Sequence, residues 1–312
     1  MRRVLSSGSS LKYFPLIPTI LYYIIETQVR HELYVMRKSW DKEYDYVVIG
    51  AGSAGSVMAA RLSEDSAVSV LLLEAGGPEN LFTDIPMNSF SHQRSKIDWN
   101  YETVPQKRAC FGMNGRISFW PRGKSMGGTS AMNTLVYIRG NSRDYDQWSA
   151  KGAIGWSWPE VFPYFVKSEN NIDPSVVSDG YHGVGGPLIV ATDYNPRVMT
   201  KVFVNAGYEL GYPTADPNGK IQSVFTIPQL TLKDGQRMSV AKAYLEPLFG
   251  RKNLHILKKS FVTKILFDDK KRAVGVEFDK MFERHVVKAR REVILSAGVI
   301  SSPQILMLSG IQ

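Results

Sequence analysis

The sequence predicts an α/β fold with a Rossmann-like parallel sheet, and three observations within Asp45–Glu74 carry that prediction. Tyr46-Val47-Val48-Ile49 is a short apolar run, the pattern of a strand buried on both faces. It feeds directly into Gly50, Gly52 and Gly55 in the spacing G-x-G-x-x-G, after which Ala54, Val57, Met58, Ala59 and Leu62 recur at helical spacing over Ser53–Leu62. A second strand, Val68–Leu73, ends on Glu74 and Ala75. Strand, glycines, helix, strand and acid in that order describe a βαβ unit that holds a dinucleotide.

Each part has a physical task. Gly50 permits the tight turn, Gly52 lets the backbone approach a phosphate with no Cβ in the way, and Gly55 lets helix and strand pack closely. Ser53 and Ala54 open the helix, where unpaired N–H groups and the positive end of the dipole converge on a pyrophosphate. The Glu74 carboxylate at the strand end accepts hydrogen bonds from ribose hydroxyls and repels a 2′-phosphate. These residues alone leave FAD and NAD both open.

At 312 residues and 44% apolar composition the chain can bury a large core and predicts more than one domain. Its formal charge of +9 is concentrated in two places, about residues 1–40 and 251–292. The second cluster alternates with strand-like apolar residues such as Val262, Ile265, Val274 and Val276, which describes solvated strand faces; no nucleic-acid motif accompanies it. Cys110 is the only cysteine, so neither an internal disulfide nor a thiolate zinc site is expected. The five histidines show no metal-ligand spacing, and no metal is expected.

Before the nucleotide unit, residues 1–43 read as a leader. Arg2, Arg3 and Lys12 precede the uncharged stretch Tyr13–Ile25, too short to span a bilayer but long enough for a signal-peptide core, so an extracellular or secretory destination is expected, with a membrane-anchored or cytoplasmic one as the alternative. After the unit, Gly76–Phe119 is irregular, and a coil this long inside a domain has to be held by a ligand or another segment. Within it, Trp99 and Tyr101 offer either stacking surface or core anchors. Then comes PRGKSMGGTSAMNTLVYIRGN, Pro121–Asn141, where Gly127 and Gly128 clear the backbone for something flat, and Thr129, Ser130 and Asn133 set hydroxyl and amide groups beside that gap. The same residues also read as a glycine turn before a helix capped by Thr129 or Ser130.

The pairing of GAGSAG and Glu74 with RGKSMGGTSAMNTLVYIRG, followed by GWSWPEVFPYFVKSE, RMSVAKAYLEP and EVILSAGVISSPQILMLSGI, resembles the glucose–methanol–choline (GMC) family of FAD-dependent oxidoreductases, in its insect glucose-dehydrogenase-like branch. The resemblance covers about residues 44–312. It implies a flavin rather than a nicotinamide, with Gly50, Gly52, Ser53, Ala54, Gly55, Glu74 and Ala75 on the ADP portion. It likewise places Gly123, Gly127, Gly128 and Thr129 along the isoalloxazine, Asn133 near its reactive edge, Val262 at the adenine, and Ala297 and Gly298 back on the ADP portion. Some family members attach the flavin through a histidine just before the asparagine; Met132 stands there, so noncovalent FAD is expected.

The implied organisation is a first FAD-binding part at 44–154, an inserted, incomplete α+β substrate domain at 155–250, and a second FAD-binding part at 251–312. In the inserted part Trp156, Trp158, Phe162, Tyr164 and Phe165 crowd one helix, and Gly186–Ala191 and Ser223–Thr231 alternate like antiparallel strands. At the C-terminus, Glu292–Ala297 predicts a strand and Pro303 the start of an apolar helix. The implied activity is oxidation of a CH–OH group of an alcohol or sugar, with hydride passing to flavin N5 and electrons to a quinone-like or other acceptor. The family's catalytic histidine lies downstream of LSGI, so the base is expected beyond Gln312 and the chain reads as a fragment, itself inactive. A non-catalytic flavin-binding remnant and an NAD-dependent dehydrogenase are the alternatives.

Overall fold

Four strands whose C-terminal ends lie side by side set the frame. In this computed structural model the described residues are 39–193 and 195–311, with 18, 20, 21, 24, 25 and 37; the stretch Tyr13–Ile25 otherwise lies outside them, as do His31 and Gln312. The chain enters through β1 (Glu43–Ile49), turns into α1 (Ser53–Leu62) and returns as β2 (Val70–Leu73). There follow α2 (Leu81–Asp84), β3 (Tyr101–Glu102), β4 (Phe119–Trp120) and a 3-10 turn at Gly128–Ala131. Next come α3 (Ser142–Ala150), α4 (Trp158–Ser168), β5 (Glu169–Asn171), α5 (Pro174–Val177), β6 (Leu188–Thr192), α6 (Val198–Glu209), β7 (Gln229–Leu230) and the hairpin of β8 (Leu232–Lys233) and β9 (Gln236–Arg237). The last stretch is α7 (Val240–Tyr244), β10 (Leu254–Leu257), β11 (Phe261–Phe267), β12 (Ala273–Lys280), β13 (Glu283–Leu295) and α8 (Gly298–Leu308). Among the described residues no helix is long and apolar enough to cross a membrane.

The main sheet has the order β10-β2-β1-β13-β12-β11. Strands β10, β2, β1 and β13 pair in parallel, and β12 and β11 complete the sheet antiparallel. This is the Rossmann-like α/β fold the sequence predicts. Both faces are covered, which explains the unbroken apolar runs. Val47, Ile49, Leu71 and Leu73 belong to one core cluster, while Val48, Val70 and Leu72 turn to the other, which includes Ala59 of α1. Burying each such side chain contributes about 1.5–3 kcal/mol, so the sheet is held by packing on both sides rather than by strand propensity. In register, Ile49 lies beside Leu73 and Leu295, and Leu73 beside Leu257. Four loops, starting at Gly50, Glu74, Lys258 and Ser296, therefore leave one edge together.

Away from that edge, β5, β6 and β7 form a small sheet, with β5–β6 parallel and β6–β7 antiparallel. The 186–191 and 223–231 segments, expected as antiparallel strands, do meet antiparallel through β6 and β7, though only Gln229–Leu230 of the second is strand and β6 also runs parallel to β5. Trp158, Phe162, Tyr164 and Phe165 lie on α4 as expected, entered through a capping box of Ser157 and Glu160, but Trp156, expected on the same helix, precedes that cap and lies outside it. Two further expectations need correction. The C-terminal helix begins at Gly298, and Pro303 lies inside it; the Gly298 backbone at φ +88 makes the sharp turn, and Pro303 removes one hydrogen bond without ending a well-packed helix. The fold also starts before residue 44, because Trp40 packs against Phe278 at 5.8 Å between ring centroids and the Lys42 carbonyl accepts from the Lys288 N–H.

Asp45 ties the first strand to two others. Its carboxylate accepts from Ser69 N–H (2.8 Å) and Ser69 Oγ (2.9 Å) on the way into β2, and from Arg290 Nε (3.1 Å) on β13. The Arg290 guanidinium, with the Ser69 donors, holds the Asp45 carboxyl well below the usual carboxylate range. A depressed carboxyl contributes stability that is present above its ordinary pKa near 4 and lost as pH falls below it. Asp45→Asn is therefore expected to cost about 1 kcal/mol at neutral pH, Arg290 being half exposed, and to shrink the drop in thermal midpoint between pH 5 and pH 3.

Candidate cofactor-binding site

A cavity of about 590 Å³ opens at the strand edge where the four loops emerge. Pockets that enclose most of a small ligand run from about 300 to 1,000 Å³, so its size suits one. Its wall includes Gly50, Gly52, Ser53, Ala54, Glu74, Ala75, Gly123, Gly128, Thr129, Val262, Ala297 and Gly298. All of these were singled out in the sequence, and they come from five separated stretches.

The loops are stitched together by backbone bonds. Gly50 N–H donates to Leu73 O (2.8 Å), Ser296 N–H to Ile49 O (2.8 Å), Ser260 N–H to Glu74 O (2.8 Å), Met126 N–H to Gly77 O (2.9 Å) and Gly127 N–H to Ala51 O (2.8 Å). The two glycine loops meet where neither has a side chain: a Cβ on Gly128 would stand 2.7 Å from Gly52 Cα, and Gly128 has φ +53. Thr129 Oγ1 accepts from Gly123 N–H at 3.2 Å and closes the second loop on itself. Gly128–Ala131 is a 3-10 turn entered from a left-handed Gly127, with no side-chain cap, so the capping expected of Thr129 or Ser130 is absent. Ser130 Oγ instead donates to Gly127 O at 2.6 Å.

Helix α1 also starts without a side-chain cap, at Gly52. Its first N–H groups have no intrahelical acceptor and stand beside cavity residues Ser53 and Ala54, which makes an anion cradle. Glu74 is buried, and its two oxygens accept from Ala51 N–H and Gly76 N–H, each at 2.8 Å. Burial pushes its carboxyl up to about 7, against those two backbone bonds and the charge of Lys124. Glu74 thus braces the first loop, and each oxygen keeps a lone pair for a hydroxyl in the cavity.

Trp99 and Tyr101 both line the cavity, which decides between stacking surface and core anchor. Their rings are parallel within 4° at 5.9 Å, and Tyr101 Oη is 2.8 Å from Ser301 Oγ on α8. The turn that presents them is organised by buried Asp98, which accepts from the N–H groups of Arg94 (2.8 Å), Asn100 (3.0 Å) and Arg122 (3.0 Å). The sequence reading missed Asp98, and also Arg122, Ser260, Thr263, Ser296 and Gln304 on the wall.

Three expected residues do not line the cavity. Gly55 sits behind it, where an added Cβ would meet Gly50 O at 1.8 Å, so it serves the helix–strand packing expected of it. Gly127 stands against buried Glu79, whose carboxyl burial pushes up to about 7. Asn133 is exposed, and its Oδ1 is engaged by Arg237 Nη1 at 2.7 Å. None of the four described histidines lines the wall. His182 lies in a separate buried network, Nδ1 to Glu169 Oε1 at 2.7 Å and Nε2 to Asp216 Oδ2 at 2.6 Å.

Comparison with known proteins agrees with this geometry. The GMC oxidoreductase family description matches residues 44–312. The chain is 45% identical over 278 residues to "Glucose dehydrogenase [FAD, quinone]" of Drosophila melanogaster, covering 88% of this chain and 44% of that protein. It is 41% identical over 279 residues to mitochondrial choline dehydrogenase of Homo sapiens, covering 86% and 46%. Among solved structures, pyridoxine 4-oxidase from Mesorbium loti superposes with a TM-score of 0.77 at 34% identity, over 86% of this chain and 52% of that one. The chain thus spans about half the length of the relatives it matches.

Proposed function

The chain belongs to the GMC oxidoreductase family, and from that premise we propose that it holds FAD for the oxidation of a CH–OH group of an alcohol or sugar. The observation that supports this reading is the contact of Gly52 with Gly128, which brings two separated glycine loops to one cavity beside Glu74. The uncapped start of α1 at Ser53 and Ala54 receives the pyrophosphate, and Glu74 the ribose hydroxyls. Val262 backs the adenine, and Ala297 and Gly298 close on the ADP portion. Gly123, Gly128 and Thr129 run along the ring, with Gly127 behind them, Asn133 at the exposed end of the same loop beyond the cavity wall, and Trp99 and Tyr101 keeping water out. Bound flavin supplies the sink for hydride.

Met132, buried beside Asn133, offers no imidazole for attachment, so the flavin is held noncovalently. No described histidine faces the cavity, and we place the proton-accepting base in the part of the relatives' length that this chain does not span. The electron acceptor is quinone-like, after the Drosophila relatives. The partition into FAD-binding parts at 44–154 and 251–312 around a substrate segment at 155–250, and a secretory leader, belong to the same reading.

A nicotinamide dinucleotide would use only the first loop, so the test is a competition. Purified protein is expected to take up one equivalent of FAD with flavin absorbance, to ignore NAD at equal concentration, and to release the flavin on acid precipitation. Protein that stays colourless with FAD and binds NAD overturns the proposal; flavin retained in the acid pellet overturns its noncovalent part.

A further inference from the structure

Arg237 is among the largest fully buried side chains, 1% exposed, and a guanidinium so placed costs several kcal/mol unless its donors are met. They are met by three segments. Nε donates to Thr83 O on α2 (2.8 Å), Nη2 to Ser89 Oγ (2.9 Å), and Nη1 to both Ser130 O (3.2 Å) and Asn133 Oδ1 (2.7 Å) on the second glycine loop. The same Asn133 oxygen accepts from Leu135 N–H at 3.1 Å.

That pairing decides which way the Asn133 carboxamide faces. Its oxygen and nitrogen are nearly identical in shape, so orientation has to be argued from partners. A guanidinium has only donors, and a backbone N–H is a donor, so the atom between them is the oxygen. The Nδ2 amino group is then turned the other way, has no hydrogen-bond partner among the described residues, and belongs to an exposed side chain.

We propose that Arg237 is a positioning residue: it pins the Asn133 carboxamide so that the second glycine loop presents an N–H donor, not a carbonyl, to an electron-rich atom at the ring end of bound flavin. This rests on the flavin reading of the site. Removing Arg237 leaves Leu135 N–H as the only described hold on the side chain, too little to fix one orientation.

The test uses protein labelled with ¹⁵N-asparagine, the Asn133 side-chain NH₂ pair being identified by its loss in Asn133→Asp. Adding FAD is expected to shift that pair in the unaltered protein. In Arg237→Met, FAD still binds, followed by flavin absorbance, while the shift falls at least twofold. An equal shift in both overturns the positioning role. Asn133→Asp gives a second measurement that does not depend on Arg237→Met folding. It keeps both acceptor bonds toward Arg237 and Leu135 and replaces the donor with an oxygen, so FAD affinity is expected to fall at least tenfold with no loss of thermal midpoint. A purely structural role predicts unchanged affinity, and that result also overturns the proposal. Unaltered protein that shows no flavin absorbance removes the flavin reading and this inference together.

Discussion

Gly128→Ala should weaken FAD binding by about 5-fold to 100-fold. Two costs arise at that position, the first common to the free and the bound protein and the second falling on the ligand. The residue has φ +53, a left-handed backbone that costs a side-chain-bearing residue about 1 kcal/mol or more. The new methyl carbon would also stand 2.7 Å from Gly52 Cα, and that neighbour is backbone, so it cannot rotate away. Forcing the loops apart costs about 1–3 kcal/mol, and every 1.4 kcal/mol is a factor of ten in affinity. Since Gly52 opens the helix proposed to receive the pyrophosphate, the displacement is expected to fall on the ligand. Gly152→Ala is the control: it also has positive φ, +105, but nothing within 4 Å of the added carbon, and it lies outside the cavity wall. Flavin titration of both variants decides the matter. Unaltered affinity in Gly128→Ala would mean that the two loops do not clamp one ligand.

Gly55→Ala distinguishes the clamp from the frame. Its methyl would lie 1.8 Å from Gly50 O, away from the cavity, so it is expected to lower the thermal midpoint as well as FAD affinity, whereas Gly128→Ala acts mainly on affinity.

What was legible in the sequence was local. β1, α1 and β2 follow each other with no insertion, so apolar period and glycine spacing sufficed to place them. Glu74 was found because it ends a strand. Asp98 and Trp99 were harder, because their places depend on backbone donors at Arg122 and a ring partner at Phe261. Asn133 was recognised through the second glycine loop, yet its orientation depends on Arg237, far along the chain in the β8–β9 hairpin. Pro303 misled for the opposite reason: a local rule about proline yielded to packing of α8, whose Ile305 is buried in the main core and whose Ser309 cap hydroxyl accepts from Ile265 N–H at 2.8 Å. The order β10-β2-β1-β13 is likewise a long-range fact, since β10 and β13 arrive after the whole inserted segment.

Glu169→Ala is expected to destabilise the protein by about 3–5 kcal/mol, a large part of the 5–15 kcal/mol that holds a typical domain together. Glu169 is fully buried, and it pairs with Arg139 Nη2 on one oxygen and His182 Nδ1 on the other. Asn171 Nδ2 adds a bond at 2.9 Å, and Asp216 takes the far nitrogen of His182 at 2.6 Å. Removing the carboxylate strands a buried guanidinium and half the support of an imidazolium, which costs far more than the pair contributed. The same network sets a pH dependence. Burial pulls the His182 pKa down, but hydrogen bonds to Asp216 and Glu169 outweigh it and push the ring up to about 9. A histidine raised above its ordinary value near 6.5 contributes stability that is complete below 6.5 and lost as pH rises through about 9. Glu74 and Glu79, raised to about 7, weaken the fold over a lower range, as pH climbs from their ordinary value to 7. The interval from pH 7.5 to 9 therefore belongs to His182, where the unaltered protein should lose about 2 kcal/mol, read from urea midpoints. His182→Gln should start lower and stay flat across that interval, since its amide oxygen cannot donate to the second of the two carboxylates and its side chain cannot titrate; an equal slope in the variant would place the titrating group elsewhere.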